Sequence, residues 1–382
     1  MRVTILSGSV PTTTFIDAMI NVMAKDGYEI TVIGKKTGLW QYHPRVKVII
    51  VPASIIDRIL FIVRLLPFAG LNKLVKIWRT GKRPKTFYHN LLFYLPIIKS
   101  KPHRVHLQWA AFVHNRDLLF DLYPRKILVS MRGAHINYTP LTTPAIRDSY
   151  LRLFPRVHRF HAVSKAIAEE GVLYNADINN TDIIYSFVDD ALLQKTIAQK
   201  TSSEMLHIIS VGRFFWKKGY EYALDALSIL KQHEVSFRYT LIAEGETPAG
   251  IIYQAHQLGL IDNVRIVNGM THADVLTQIE QHDVLLLPSV EEGIANVVLE
   301  AMAVGTPVVT TDVGGMRETI DNGVNGFVVP VRDAHAMADA LIAFRNLAPS
   351  QRYTIATNAK EKLRNRHDKN TFVERFRNFY NS

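Results

Sequence analysis

An alternation runs through this chain and limits its architecture more than any single motif does. Short apolar runs of strand length fall at 3–6, 29–33, 46–51, 104–107, 127–130, 159–163 and 182–185. Further runs fall at 206–211, 239–242, 264–267, 284–287, 308–310 and 327–329, and segments such as 14–25 and 165–173 read as helices between them. Strands that alternate with helices favour parallel sheets covered on both faces. At 382 residues the chain is long for one core and suits two domains. The polar stretch 195–204 (KTIAQKTSSE) is the best linker candidate, so the expected domains are 1–195 and 205–365, with 366–382 as a C-terminal helix carrying aromatic anchors. There is no internal repeat.

The richest single segment is 288–326, PSVEEGIANVVLEAMAVGTPVVTTDVGGMRETIDNGVNG. A strand at 283–287 delivers the chain to Pro288, and the turn that follows should present free backbone amides at a helix start. Glu292 and Glu300 stand eight residues apart; at ~100° per residue that is about 80° past two full turns, so both should lie on roughly one helical face. A carboxylate pair with free amides between suits a ligand bearing hydroxyls and phosphate. Upstream, the run at 206–211 leads into Gly212-Arg213-Phe214-Phe215-Trp216-Lys217-Lys218-Gly219 and then a helix. A glycine-bounded strand-to-helix turn with two cations is what a diphosphate needs: Arg213 for bidentate contacts, Lys218 as a point charge. Taken alone, the paired glutamates read more readily as a solvated loop residue and an ordinary helix residue, and the basic segment reads equally well as a solvated turn.

Together they closely resemble the sugar-nucleotide half of retaining glycosyltransferases of family 4. The shared features are Glu292 and Glu300 with seven residues between, the Glu-Ala-Met-Ala-x-Gly-x-Pro-Val-Val run at 300–309, and Gly-Gly-x-x-Glu at 314–318. The resemblance implies the GT-B architecture, two Rossmann-like doubly wound domains facing an interdomain cleft. It assigns the donor's phosphates to Arg213 and Lys218 beside Gly212, and the ribose hydroxyls to Glu300. It gives the donor sugar to Glu292 with the amides of Gly293, Ile294, Ala295 and Asn296. Arg213, Lys218 and Glu292 are the catalytic candidates, and the chemistry implied is a metal-independent transfer that retains anomeric configuration. No Asp-x-Asp occurs in the chain, which speaks against a divalent metal at the diphosphate. No cofactor is expected beyond the nucleoside-diphosphate sugar used as donor.

The first half resembles the family less closely. Gly8 and Ser9 follow the first strand where the acceptor-side loop is expected, although the usual paired glycines are reduced to Gly8. Ser130-Met131-Arg132-Gly133-Ala134-His135 stands at the family's His-Gly-x-Asp turn, with Arg132 at the histidine's place and His135 at the aspartate's. Arginine stays charged and cannot act as a base. His135 is read either as an acceptor-side group or as a structural, capping histidine, and Ser164 as a helix cap.

Charge adds a separate argument. The formal net charge is +11, and between 55 and 104 eleven Lys and Arg (58, 64, 73, 76, 79, 82, 83, 85, 99, 101, 104) face Asp57 alone; eleven minus one is +10. The same segment is apolar, with Leu71, Leu74, Val75 and Trp78 at helical spacing among Lys73, Lys76 and Arg79. No uncharged run approaches the ~20 residues of a spanning helix. A basic amphipathic helix pair, its second apolar run ending at Pro96, suits an anionic membrane surface. No nucleic-acid motif accompanies the charge. Cysteine is absent, which excludes disulfides, thiolate metal sites and cysteine nucleophiles. With no signal peptide read at the start, a cytoplasmic protein is expected, peripheral on the membrane's cytoplasmic face and taking a saccharide or lipid-linked acceptor. Two alternatives stand beside the transferase: a GT-B sugar-nucleotide epimerase, and a non-catalytic membrane-tethering partner.

Overall fold

Parallel strands buried on both faces read as near-continuous apolar runs, and two sheets here are built that way. The structure, a computed structural model, describes residues 1–81, 83–200 and 204–382; Lys82 of the basic segment and 201–203 of the linker candidate lie outside the described residues. It divides into two compact units, one of Met1–Val163, Ile167–Ile184 and Val373–Ser382, the other of Ser164–Ala166 and Tyr185–Phe372. The division therefore falls at Ile184, ahead of the boundary expected at 195. Val188 and Leu193 already belong to the second unit's core with Val298 and Leu299, and the Val188 amide donates to the His367 carbonyl at 3.0 Å.

The first unit holds β1 (Arg2–Val10), β2 (Glu29–Lys36), β3 (Val46–Ile50), β4 (Arg104–Leu107), β5 (Ile127–Met131), β6 (Arg159–Ala162) and β7 (Thr181–Ile183). They form one sheet in the order β3-β2-β1-β4-β5-β6-β7, with parallel pairing throughout. The second holds β8 (Leu206–Arg213), β9 (Phe237–Glu244), β10 (Val264–Val267), β11 (Val284–Leu287), β12 (Val308–Thr311) and β13 (Phe327–Val329). Their order is β10-β9-β8-β11-β12-β13, again parallel. In each sheet the chain reverses its direction of travel, between β1 and β4 and between β8 and β11. Doubly wound sheets bind ligands outside the carboxyl ends of the strands at such switch points. The Gly8 strand and the Arg213 and Pro288 turns are therefore in the right places within their own units.

Two sequence expectations change. Strand β1 continues to Val10, so Gly8 and Ser9 lie in the strand's end rather than in a following loop, with a register shift against β2 between Leu6 and Gly8. The second apolar run does not stop at Pro96 either: one helix spans Pro84–Ser100 and buries Leu91, Leu92, Tyr94 and Leu95 through to Ile98. The surface pair is instead Ile55–Leu65, capped by the Ser54 hydroxyl on the Asp57 amide, and Leu71–Thr80. Between them these helices expose Ile55, Ile56, Ile59, Leu60, Val63, Leu71 and Trp78, each more than half accessible. The last helix, Lys369–Asn381, buries Phe376, Phe379 and Tyr380. Their i, i+3, i+4 spacing puts them on one face, against His106 and His161 of the first sheet.

Candidate functional site

Two turns meet at the switch point of the second sheet, and each brings a doublet of charge. After β8 the chain makes a short turn over Trp216–Lys218 and reaches Gly219, whose φ is +63°. A Cβ there would sit 2.2 Å from the Pro288 carbonyl oxygen, so only glycine lets the turn after β8 lie against the turn after β11. The Val290 amide donates to the Lys217 carbonyl at 2.8 Å and ties the two turns together. Side chains then pair across them. Lys218 Nζ donates to Glu292 Oε1 at 2.5 Å, and Lys217 Nζ to Glu291 Oε2 at 2.8 Å. Lys217 Nζ also lies 3.9 Å from Glu292 Oε2, and the buried Ser289 hydroxyl donates to Glu292 Oε1 at 3.2 Å. The four charged side chains are only 9–13% exposed.

Burial pushes the Glu292 carboxyl upward, but Lys218 and Lys217 and the bonds from Lys218 and Ser289 outweigh it. The carboxyl is held below the usual carboxylate range and stays ionised. Two buried cations balanced by two carboxylates make a neutral, pre-organised cluster. Arg213 is exposed at the end of β8, and Gly212 lies beneath it: a Cβ there would stand 2.6 Å from the Tyr220 hydroxyl and 3.2 Å from Lys218 Cε.

The loop holding Glu292 is propped from a third strand. Thr311, at the end of β12, donates its hydroxyl to the Ser289 carbonyl at 2.5 Å. Gly314 (φ +49°) brings its backbone so close that a Cβ would lie 2.2 Å from the Glu292 carbonyl oxygen, and the Gly315 amide donates to the Gly293 carbonyl at 2.7 Å. Glu318 of the same motif accepts from the amides of Lys165 and Ala166 at 2.9 and 3.0 Å and from the Tyr185 hydroxyl at 2.7 Å. The helix start that sequence gave to Ser164 thus takes its carboxylate from Glu318, 153 residues away in the chain.

Gly293, Ile294 and Ala295 then lead into the helix Asn296–Val304, whose N-cap, Ala295, has no side-chain acceptor. Its first-turn amides keep the character of an anion site. Glu292 precedes this helix, which corrects the expectation of one shared helical face with Glu300. The eight-residue spacing is helical only from Asn296 onward, so Glu300 stands about one turn in. It is also the more exposed of the two, 23% against 10%, and it is bonded to His272 Nε2 at 2.9 Å. Sequence reasoning missed Lys217, Glu291, Ser289 and His272. The Lys-Lys and Glu-Glu doublets were visible signals for the first two.

On the first unit's side, Gly8 (φ +84°) would put a Cβ 3.0 Å from the Phe112 ring, and the Ser9 carbonyl accepts from the Ser7 hydroxyl. Arg132 is buried, donates to Gln108 Oε1 at 3.0 Å and lies 4.8 Å over the Phe15 ring. Burial pushes its guanidinium down to about 9. His135 stacks obliquely on Trp109 at 5.1 Å, and its carbonyl accepts from the Tyr150 hydroxyl. Behind Arg132 runs a buried chain that sequence reasoning did not find. Tyr380 Oη meets His106 Nδ1 at 3.0 Å, His106 Nε2 meets Ser130 Oγ at 2.8 Å, and Ser130 Oγ meets His161 Nδ1 at 2.8 Å.

The cluster and its three supporting turns sit inside a recognised segment. Residues 194–362 match the family described as glycosyl transferases group 1. This group 1 segment contains Arg213, Lys217, Lys218, Glu291, Glu292 and Glu300. Over 244 residues the chain is 36% identical to the amylovoran biosynthesis glycosyltransferase AmsK of Erwinia amylovora, covering 62% of this chain and 60% of that protein. Over 180 residues it is 36% identical to WcaL of Escherichia coli (strain K12), a glycosyltransferase assigned to colanic acid biosynthesis, covering 46% of this chain and 44% of that one. The matched stretches thus span about half the length of these relatives. The similarity in structure reaches further. A sucrose-phosphate synthase from Thermosynechococcus elongatus superposes with a TM-score of 0.77 at 16% identity, covering 100% of this chain and 98% of that one. The chain has the GT-B fold.

Proposed function

We propose that the chain is a retaining, metal-independent glycosyltransferase. It moves a sugar from a nucleoside-diphosphate sugar to a saccharide or lipid-linked acceptor in cell-surface polysaccharide or glycolipid assembly. The observation that carries this reading is the pairing of Lys218 with Glu292 in the turns after Arg213 and Pro288, at the switch point of the sheet inside the group 1 segment. Arg213 and Lys218 take the diphosphate, Glu300, oriented by His272, accepts from the ribose hydroxyls, and Glu292 with the amides from Gly293 to Asn296 holds the donor sugar. In the reaction the bond from the sugar's anomeric carbon to the phosphate oxygen breaks. The acceptor hydroxyl bonds to that carbon from the same face, and its proton passes to a donor phosphate oxygen. The diphosphate leaves onto Lys218 and Arg213, whose fixed charges take the part a metal would play. Among the described residues no helix is long and apolar enough to cross a membrane. The exposed aliphatic and basic face of Ile55–Leu65 and Leu71–Thr80 supports a peripheral place on an anionic cytoplasmic leaflet.

A thermal-shift panel of sugar nucleotides in chelator tests the donor site directly. A matching donor at 100 times its Kd should stabilise the protein by about 2.7 kcal/mol, and transfer to an acceptor should persist in chelator with the anomeric configuration kept by NMR. Turnover that chelator abolishes and magnesium or manganese restores would overturn the metal-free mechanism; an inverted product would overturn the retaining one.

A further inference from the structure

The first unit contains a cavity of about 400 Å³ at the carboxyl ends of β1 and β2, apart from every residue assigned above except Gly8. Its walls are apolar: Leu6 and Ile33 from the strands, Leu92 and Phe93 from the helix Pro84–Ser100, and Ala111 and Phe112. The polar side chains that line it are Lys35, His89, His114 and Arg116, and among the described residues no Asp or Glu lines it. Leu6, Ile33 and Leu92 are buried while Lys35 and His89 are exposed, so the hydrocarbon walls lie deep and those two basic groups lie at the mouth.

Arg116 is the telling residue. Its guanidinium lies 3.9 Å over the Phe93 ring, at the edge of the apolar wall. The nearby carboxylates are engaged elsewhere, Asp117 by Arg152 at 2.8 Å and Asp121 by Arg156 at 2.5 Å. Among the described residues Arg116 therefore has no carboxylate partner. A half-buried cation without a carboxylate counter-charge favours an anion. A cavity with hydrocarbon walls favours an apolar chain. A single ligand that satisfies both is a lipid phosphate.

We infer that this cavity takes the hydrocarbon segment adjoining the phosphate of a single-chain lipid phosphate, the chain against Leu6, Ile33, Leu92 and Phe112 and the phosphate at Arg116 and Lys35. At about 400 Å³ it lies at the small end of ligand pockets, room for one chain rather than two. Elements of the exposed face adjoin it: Val51, another lining residue, precedes the helix Ile55–Leu65 with its outward aliphatics. That the bound lipid is the acceptor's anchor rests on the transferase reading; the binding itself does not.

The test is calorimetric titration of the intact protein with n-alkyl phosphates of two to twelve carbons, below their micellar concentrations. Inorganic phosphate, the matching n-alkanols and dioctanoyl phosphatidylglycerol serve as separate arms. Affinity should rise by about fourfold for each methylene moved out of water and then level off once the cavity is full. Inorganic phosphate should bind far more weakly than decyl phosphate. Lys35→Gln with Arg116→Gln should lower decyl phosphate affinity at least tenfold and leave decanol unchanged. Ala111→Trp, which fills the cavity, should erase the chain-length dependence, with a melting curve and a donor titration showing that the protein remains folded. Affinity independent of chain length, or undiminished in a folded Ala111→Trp protein, would overturn the proposal. Tighter binding of the two-chain phospholipid would overturn the single-chain assignment and make the source the bilayer itself. Donor binding without alkyl phosphate binding removes the cavity's role and leaves the transferase standing, and the reverse result does the opposite.

Discussion

Each unit buries polar side chains near the carboxyl ends of its strands, but the two networks differ in chemistry. In the first unit the members are uncharged: His106, Ser130 and His161 pass hydrogen bonds between β4, β5 and β6 and end on Tyr380 of the last helix. In the second unit they are ions, Lys217 and Lys218 against Glu291 and Glu292. A neutral network can stay in the dark of a core because every group keeps a partner at little desolvation cost. An ionic one is costly to bury unless its charges are closely paired and hydrogen-bonded. The histidine chain fastens a helix to a sheet, and the ion pairs fasten one turn to another; in the proposed function they also hold cations ready for the diphosphate.

The largest difference should appear on acidification. Burial, with Arg132 close by, pushes His161 down to about 3, and burial, His161 and Arg132 push His106 well below its ordinary value. These groups stay neutral when folded and take protons when unfolded. Stability should therefore fall as pH drops below about 6.5, by up to about 1.4 kcal/mol per pH unit for each histidine, until His161 itself protonates near 3. His367 in the second unit, pushed down to about 4 by burial, adds to the slope. Glu292 has the same sign of linkage in a lower window: its depressed value adds stability that is present above the carboxylate range and is lost as pH falls through that range. Urea melts at pH 7 and pH 5 on wild type and His161→Gln check this. A flat profile in wild type would break the comparison.

Next in size is Lys218→Ala, which leaves Glu292 buried without its closest cation. Loss of one member of a buried pair costs about 3–5 kcal/mol, and donor binding should fall with it. Lys218→Ala with Glu292→Gln should recover part of the stability and none of the donor affinity. Recovery of both would mean that the pair is only structural.

The basic face should respond without any change in stability. Replacing Lys76, Arg79 and Arg83 by Gln should weaken binding to anionic vesicles by about 1 kcal/mol per charge, less at high salt, and leave donor affinity intact. Wild type that ignores anionic vesicles at low salt would reduce this face to solvated charge. Smallest in total effect is Arg213→Ala. Arg213 is exposed and has no buried partner among the described residues, so the substitution should weaken diphosphate binding by about 1.5–3 kcal/mol and leave the melting curve unmoved.

Much of the fold was legible because it is written locally. Period and composition located the strands, and the glycines at 212, 219, 314 and 315 marked turns where backbones come close. The same reasoning misplaced Glu292 on a helix because spacing alone cannot show where a helix begins. Asn296 opens it, and the loop before it is shaped by Gly314 and Thr311 from another strand. It also stopped the second apolar run at Pro96, whereas the helix that carries it runs on to Ser100.

By itself, then, the chain's sequence determined alternating strands and helices, a basic aliphatic face, and the residue types that the proposed donor site uses. Only the tertiary structure decided who pairs with whom. Lys217 and Lys218 meet Glu291 and Glu292 across 74 residues, and His106 meets Tyr380 across 274. Such contacts form where the sheet order brings strand ends together, and the energy of a buried charge depends on those neighbours rather than on the residues beside it in the chain.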